Sequence, residues 1–188
     1  MKKTITGLNA AFVNVGYEKD AFLHYHDLGP KIKTLMKFMK LVSEGKITNY
    51  SLEKLNFEKE IDKQGKIDDV LSPNDTILTQ IIKEPISTKG PRISSELSFA
   101  GRFLVLIPLS NRISVSQKIK SKKERDRLKK LIEEFRPKGF GVIIRTVAQG
   151  KKVAELEKDL QSLYNQWLSL CSKINGAKPP SRILSELN

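Results

Sequence analysis

The run Gly141-Val142-Ile143-Ile144, followed at once by Arg145-Thr146, restricts the fold more than any other stretch of this chain. It reads as a short buried strand that leaves the core presenting a guanidinium and a hydroxyl side by side. Arginine offers a planar fork of donors that matches phosphate oxygens, and threonine adds a further donor. Held on a rigid strand, such a pair suits a single terminal phosphate. As an isolated dipeptide it is equally an ordinary solvated strand end, so its meaning depends on what surrounds it.

The surroundings are basic. Lys and Arg number 34 against 21 Asp and Glu, a net charge of +13, and the pI is near 9.8. Such an excess favours a polyanionic partner, either nucleic acid or an anionic membrane surface. With 188 residues and 39% hydrophobic content, the chain can build one large or two small domains with their own cores. No apolar run approaches the roughly 18–20 residues of a membrane span, and nothing apolar follows Met1-Lys2-Lys3 to make a secretory signal. The single cysteine, Cys171, excludes an internal disulfide and a multi-cysteine zinc site. A soluble, cytoplasmic protein with a nucleic-acid partner and no membrane is the expectation.

Along the chain, Ala10–Val15 and Ala21–Tyr25 read as strands joined by a turn-rich Gly16–Asp20 connection. Alternation sets Ala11 and Val13 against Phe12, and Ala21 and Leu23 against Phe22 and His24, so both phenylalanines fall on the polar side. After Gly29-Pro30 a helical stripe runs through Ile32, Leu35, Met36 and Met39, with lysines opposite. Residues 43–66 read as loop and short helix, and 76–82 as a strand. Further strands are expected at 93–99, 103–109 and 112–115. Ser121–Phe135 carries a helix with a Ser121/Glu124 capping box, stopped by Pro137 and Gly139. A long helix follows over 152–174, striped by Val153, Leu156, Leu160, Leu163, Trp167, Leu170 and Ile174.

The segments Gly7-Leu8-Asn9-Ala10-Ala11-Phe12-Val13, Ala21-Phe22-Leu23, Lys89-Gly90, Leu97-Ser98-Phe99-Ala100-Gly101, Leu104-Val105-Leu106-Ile107-Pro108 and Ile144-Arg145-Thr146 occur in that order. Together they resemble the N-terminal half of the ribonuclease E/G family, over nearly the whole chain apart from 31–66. The resemblance implies an α+β chain. An OB-fold β-barrel that binds RNA would cover 1–95, with a clipped first strand and a helical insertion at about 31–66. A mixed α/β 5′-sensor domain would cover 96–176, and 177–188 would be a linker toward a missing catalytic domain.

The resemblance implies roles as well. Phe12, Phe22 and Lys89 match residues that contact RNA, while Gly101, Val105, Arg145 and Thr146 match a pocket for a 5′-monophosphate in which the glycine N–H is one donor. The implied partner is single-stranded RNA with a 5′-monophosphate, in RNA processing or decay. Family enzymes are homo-oligomers and cut RNA with a magnesium held by aspartates in a domain after the sensor. This sequence shows neither those aspartates nor a zinc-linking cysteine pair. The chain is therefore expected to be a ribonuclease G-like fragment with no catalytic residue, metal or cofactor of its own.

The remaining residues are less specific. Aromatic stacking worth about 1–3 kcal/mol per base would justify exposing Phe12 and Phe22, and Lys89 with Arg92 makes a basic loop suited to a phosphate. Residues 112–138 hold eleven basic and four acidic side chains, enough to follow an RNA backbone or simply to solvate a helix face. His24 and His26 lack a third metal ligand, and Asp68-Asp69 has no partner motif. The alternative function is a non-enzymatic basic nucleic-acid-binding protein, ribosome-associated or DNA-binding, in which Arg145-Thr146 is incidental.

Overall fold

The computed structural model describes Met1 and residues 3–176; the expected linker, 177–188, lies outside them. The chain divides into two compact units. The first comprises Met1–Thr48 and Asn56–Leu97, with 173–176, and the second Asn49–Leu55 and Ser98–Ser172. The α+β expectation holds, with two mixed sheets and three α-helices among the described residues.

The first unit is a five-stranded sheet in the order β1-β2-β3-β5-β4. Its strands are β1 (Lys3–Ile5), β2 (Ala10–Val13), β3 (Ala21–His24), β4 (Gln80–Lys83) and β5 (Arg92–Ser94), with α1 (Ile32–Ser43) between β3 and β4. The β3–β5 pair is parallel and the other pairs are antiparallel. Among the described residues no closed barrel forms: β1 and β4 are the two edges. They are nonetheless drawn together ahead of β4, because the Met1 ammonium donates to the Asp75 carbonyl (2.8 Å) and Asn74 N–H to the Met1 carbonyl (3.2 Å). Ala11, Val13, Ala21, Leu23 and Ile93 are buried on the sheet, and Ile32, Leu35, Phe38 and Val42 are buried on α1. The α1 stripe is thus centred on Phe38, while Met36 and Met39 stay half-buried at its margin.

The expected strand 93–99 is two strands in two sheets, β5 and β6 (Phe99–Ala100). The break falls at Ser94, whose Oγ donates to the distant Asp27 carbonyl (2.9 Å) and accepts from Glu96 N–H (3.1 Å), while Ser95 N–H also goes to Asp27. A serine that bonds the neighbouring backbone competes with the ladder and ends it.

The second unit has a four-stranded sheet in the order β6-β7-β9-β8, with β7 (Leu104–Pro108), β8 (Ile113–Val115) and β9 (Phe140–Ile144). Between β8 and β9 runs α2 (Lys122–Phe135), which gives that pair its parallel direction. Ser121 Oγ accepts from Glu124 N–H (3.3 Å), half of the capping box. The Glu124 carboxylate does not return to Ser121 but bonds Arg127 and the Gly150 N–H. Last comes α3 (Val153–Gly176), whose Leu156, Leu160, Leu163, Trp167 and Leu170 are buried as the stripe requires, Val153 alone standing 41% exposed. Trp167 meets Phe99 and Phe140 edge-on and donates to the Tyr50 carbonyl (3.0 Å). The β9 strand is covered along one side and at Gly141 on the other. Val142 and Ile144 are fully covered, and Ile143 between them is 39% exposed. Among the described residues no helix is long and apolar enough to cross a membrane.

Candidate nucleic-acid interface

The residues singled out by the sequence fall into one group per unit. In the first, Phe12 and Phe22 are register partners across β2 and β3, their rings 6.1 Å apart with planes at 68°, and both half-buried. The same row crosses the whole sheet. Lys3 pairs with Phe12, Phe22 with Arg92, and Arg92 with Lys83. Directly opposed residues share a face, so two aromatic rings lie between cations from β1 and β5, and Lys83 of β4 ends the row beyond a register shift after Ile81. Arg92 is steadied by Asp27, whose Oδ2 accepts from Nε and Nη2 at 2.9 Å each.

Lys89 is exposed at a tight turn closed by paired bonds between Ile86 and Lys89 (3.0 and 3.2 Å). The next residue, Gly90, lies so close to the Asp20 carbonyl that a Cβ would overlap it. That approach seats Pro91, whose carbonyl accepts the Phe22 N–H at 2.8 Å. The Lys89 loop is thereby tied to the strand of Phe22. Lys3 and Lys83 escaped sequence reasoning because only strand register brings them into the row.

In the second unit, Arg145 leaves β9 exposed and returns to the turn between β6 and β7. Its Nη1 donates to the Gly101 carbonyl at 2.6 Å and its backbone N–H to the Phe103 carbonyl at 2.8 Å. Thr146 Oγ1 and Ser116 Oγ lie 2.8 Å apart, so two hydroxyls stand beside the guanidinium's strand exit. Val105 is half-buried mid-strand, opposite Ala100 and Ile143, on the open face. The Gly101 N–H, expected to face phosphate, instead donates to the Leu104 carbonyl at 2.7 Å. It closes the turn, and glycine is needed there for a different reason. A Cβ would sit 2.6 Å from an oxygen of Asp159 on α3. Arg102 and Lys151 flank the Phe103 ring at 5.2 and 5.5 Å, adding positive charge near the turn.

The basic run 112–138 divides by residue type. Arg125 binds the carbonyls of Val115, Ser116 and Ile119, Arg127 that of Lys151, and Arg136 those of Asn111 and Phe140. Arginine's several donors thus hold loops, while Lys118, Lys120, Lys122, Lys123, Lys129 and Lys130 point to solvent. His24 Nδ1 accepts from His26 N–H at 3.1 Å and caps a short turn. Cys171 is buried, which pushes its thiol well up. Asp68 accepts from Thr6 Oγ1 at 3.0 Å. Among the described residues no three His, Cys, Asp or Glu gather to hold a metal ion.

An aromatic–cationic row on one sheet and a guanidinium–hydroxyl pair at a strand exit are features with the chemistry to meet bases and phosphates. Residues 98–188 match a sequence model of the Ribonuclease E/G family. A Ribonuclease E of Nostoc sp. is 30% identical over 96% of this chain and 23% of its own length. A Ribonuclease G of Escherichia coli is 29% identical over 100% of the chain and 34% of its length, and one of Haemophilus influenzae is 30% identical over 98% and 34%. The chain belongs to the ribonuclease E/G family. It spans 23% to 34% of the length of these relatives.

Proposed function

We propose that this chain is the part of a ribonuclease G-like endoribonuclease that holds single-stranded RNA and reads its 5′ end. The first unit is taken as an OB-fold RNA-binding module. The strand order β1-β2-β3-β5-β4, the parallel β3–β5 pair and the helix between β3 and β4 support that reading, an OB fold being a five-stranded, partly open Greek-key barrel. Phe12 and Phe22 stack on bases, and Lys3, Arg92, Lys83 and Lys89 meet phosphates. The second unit is taken as the 5′-sensor, and the observation that carries this is the Arg145 guanidinium anchored on the Gly101 carbonyl beside Thr146. One terminal monophosphate accepts from Arg145 and Thr146. A triphosphate is too bulky for the same grip, and a 5′-hydroxyl offers no charge. Val105 and the Gly101 turn supply the wall beside it. Cleavage of RNA, with magnesium, belongs in this reading to residues other than those of the two units.

The test is fluorescence anisotropy with single-stranded RNA carrying a 5′-monophosphate or a 5′-hydroxyl. Preference for the monophosphate by about tenfold or more is expected, from hydrogen bonds to a charged group, and Arg145→Ala should abolish it. Equal affinities, unchanged by Arg145→Ala, would sink the sensor reading. The alternative, a non-enzymatic basic nucleic-acid binder, is supported by the six outward lysines of 118–130. Preference for duplex DNA over single-stranded RNA would favour it.

A further inference from the structure

The turn from Gly101 to Leu104 carries hydrogen bonds on both of its sides. Its three successive amides, Arg102 (3.1 Å), Phe103 (2.9 Å) and Leu104 (2.9 Å), converge on the carboxylate of Asp159. Successive N–H groups bent into one concavity make an anion cup of the kind that takes phosphate. In this turn the protein's own carboxylate fills it. The absence of a side chain at Gly101 makes room, since a Cβ would lie 2.6 and 2.8 Å from the two carboxylate oxygens.

Two of those amides are halves of peptide groups whose other halves hold Arg145. The Arg102 N–H shares a peptide with the Gly101 carbonyl, which accepts from Arg145 Nη1 at 2.6 Å. The Leu104 N–H shares one with the Phe103 carbonyl, which accepts the Arg145 backbone N–H at 2.8 Å. A carboxylate drawing on an N–H polarises the peptide and strengthens its carbonyl as an acceptor, so bonds in such a chain reinforce one another. We propose that Asp159 is a positioning residue of the phosphate site, aiming the Arg145 guanidinium through two peptide groups. This rests on reading Arg145 as the phosphate contact. Asp159 itself does not meet RNA; its charge is spent on the three amides, where a second anion would be repelled.

The experiment uses the whole 188-residue chain, with Asp159→Asn, Asp159→Ala, Arg145→Ala and the Asp159→Ala/Arg145→Ala pair. One readout is the nitrogen-15 spectrum of the Arg145 guanidinium; the other is affinity for RNA with a 5′-monophosphate or a 5′-hydroxyl. Immobilised, separate Nη signals are expected in the parent chain and averaged ones in Asp159→Asn, with the buried Trp167 indole signal unmoved. Asp159→Ala should lower the monophosphate preference by about tenfold, the worth of a hydrogen bond to a charged group, and leave 5′-hydroxyl affinity intact. The double variant should lose no more than Arg145→Ala alone, since residues acting as one unit are not additive. An immobile Arg145 and an undiminished preference in folded Asp159→Asn, or additive losses in the pair, would overturn the proposal. Should Asp159→Ala not fold, Asp159→Asn decides, because its carboxamide oxygen still caps an amide. A parent chain without monophosphate preference would end the sensor reading, while the Arg145 spectrum still decides whether Asp159 aims it.

Discussion

In the first unit the proposed contacts stand on neighbouring strands and meet because the register puts Lys3, Phe12, Phe22, Arg92 and Lys83 in one row. In the second the single cation is held at arm's length, by a turn whose amides are anchored on another element. The first surface is wide and repetitive, so removing one member leaves the others in position. The second depends on one guanidinium whose direction is set by peptide groups, so it fails when its support moves. Breadth suits a polymer of any sequence, and a fixed fork suits one end group.

The sharpest separation of the two comes from removing the aromatic pair. Phe12→Ala with Phe22→Ala should weaken binding of 5′-hydroxyl RNA by about a hundredfold, at 1–3 kcal/mol per stacked base. The ratio of monophosphate to hydroxyl affinity should stay where it was; a falling ratio in anisotropy titrations would mean that the surfaces are not independent. Gly101→Ala strikes the other surface. Its Cβ would be forced against the Asp159 carboxylate at 2.6 Å. Chemical denaturation should register a loss of about 1–3 kcal/mol, as for other overpacked sites, together with loss of the monophosphate preference. Normal stability with normal preference would show the turn to be softer than its hydrogen bonds imply.

Smaller effects test the row's edges. Lys3→Gln and Lys83→Gln should each weaken RNA binding a few-fold and flatten the salt dependence by about 0.7 in the log–log slope, one released counterion on a single strand. An unchanged slope would remove that lysine from the proposed track. The smallest effect concerns Glu124, which braces the loop after Thr146. Its hydrogen bonds from Arg127, then from Gly150 N–H, hold its carboxyl down from 4.5 to about 2. The folded value lies below the unfolded one, so this stabilisation is complete above about 4.5 and is lost as pH falls toward 2. Glu124→Gln should flatten the stability profile across that window, as read by unfolding at pH 7 and pH 3.

What could be read before folding was whatever a residue settles with its near neighbours. The spans of α2 and α3 follow from apolar spacing, and the half-exposed Phe12 and Phe22 follow from alternation along their own strands. Arg145 and Gly101 were singled out as partners only through the resemblance, since 44 positions separate them in the chain. That the Gly101 amide donates to the Leu104 carbonyl was not legible in the sequence, because nothing local reveals how that turn closes. The break between β5 and β6 was missed for a similar reason: Ser94 finds its competing acceptor in Asp27, far upstream.

By itself, then, the amino-acid order determined the basic character, the helices, most strand positions and the faces those strands turn to water. Those properties depend on side-chain chemistry and on periods of a few residues. Only the tertiary structure decided which strands lie side by side, that cations from β1 and β5 flank the aromatic pair, and that Asp159 answers the amides beneath Arg145. Register and long-range hydrogen bonds are chosen by the packing of the whole unit, and no stretch of a few residues contains that choice.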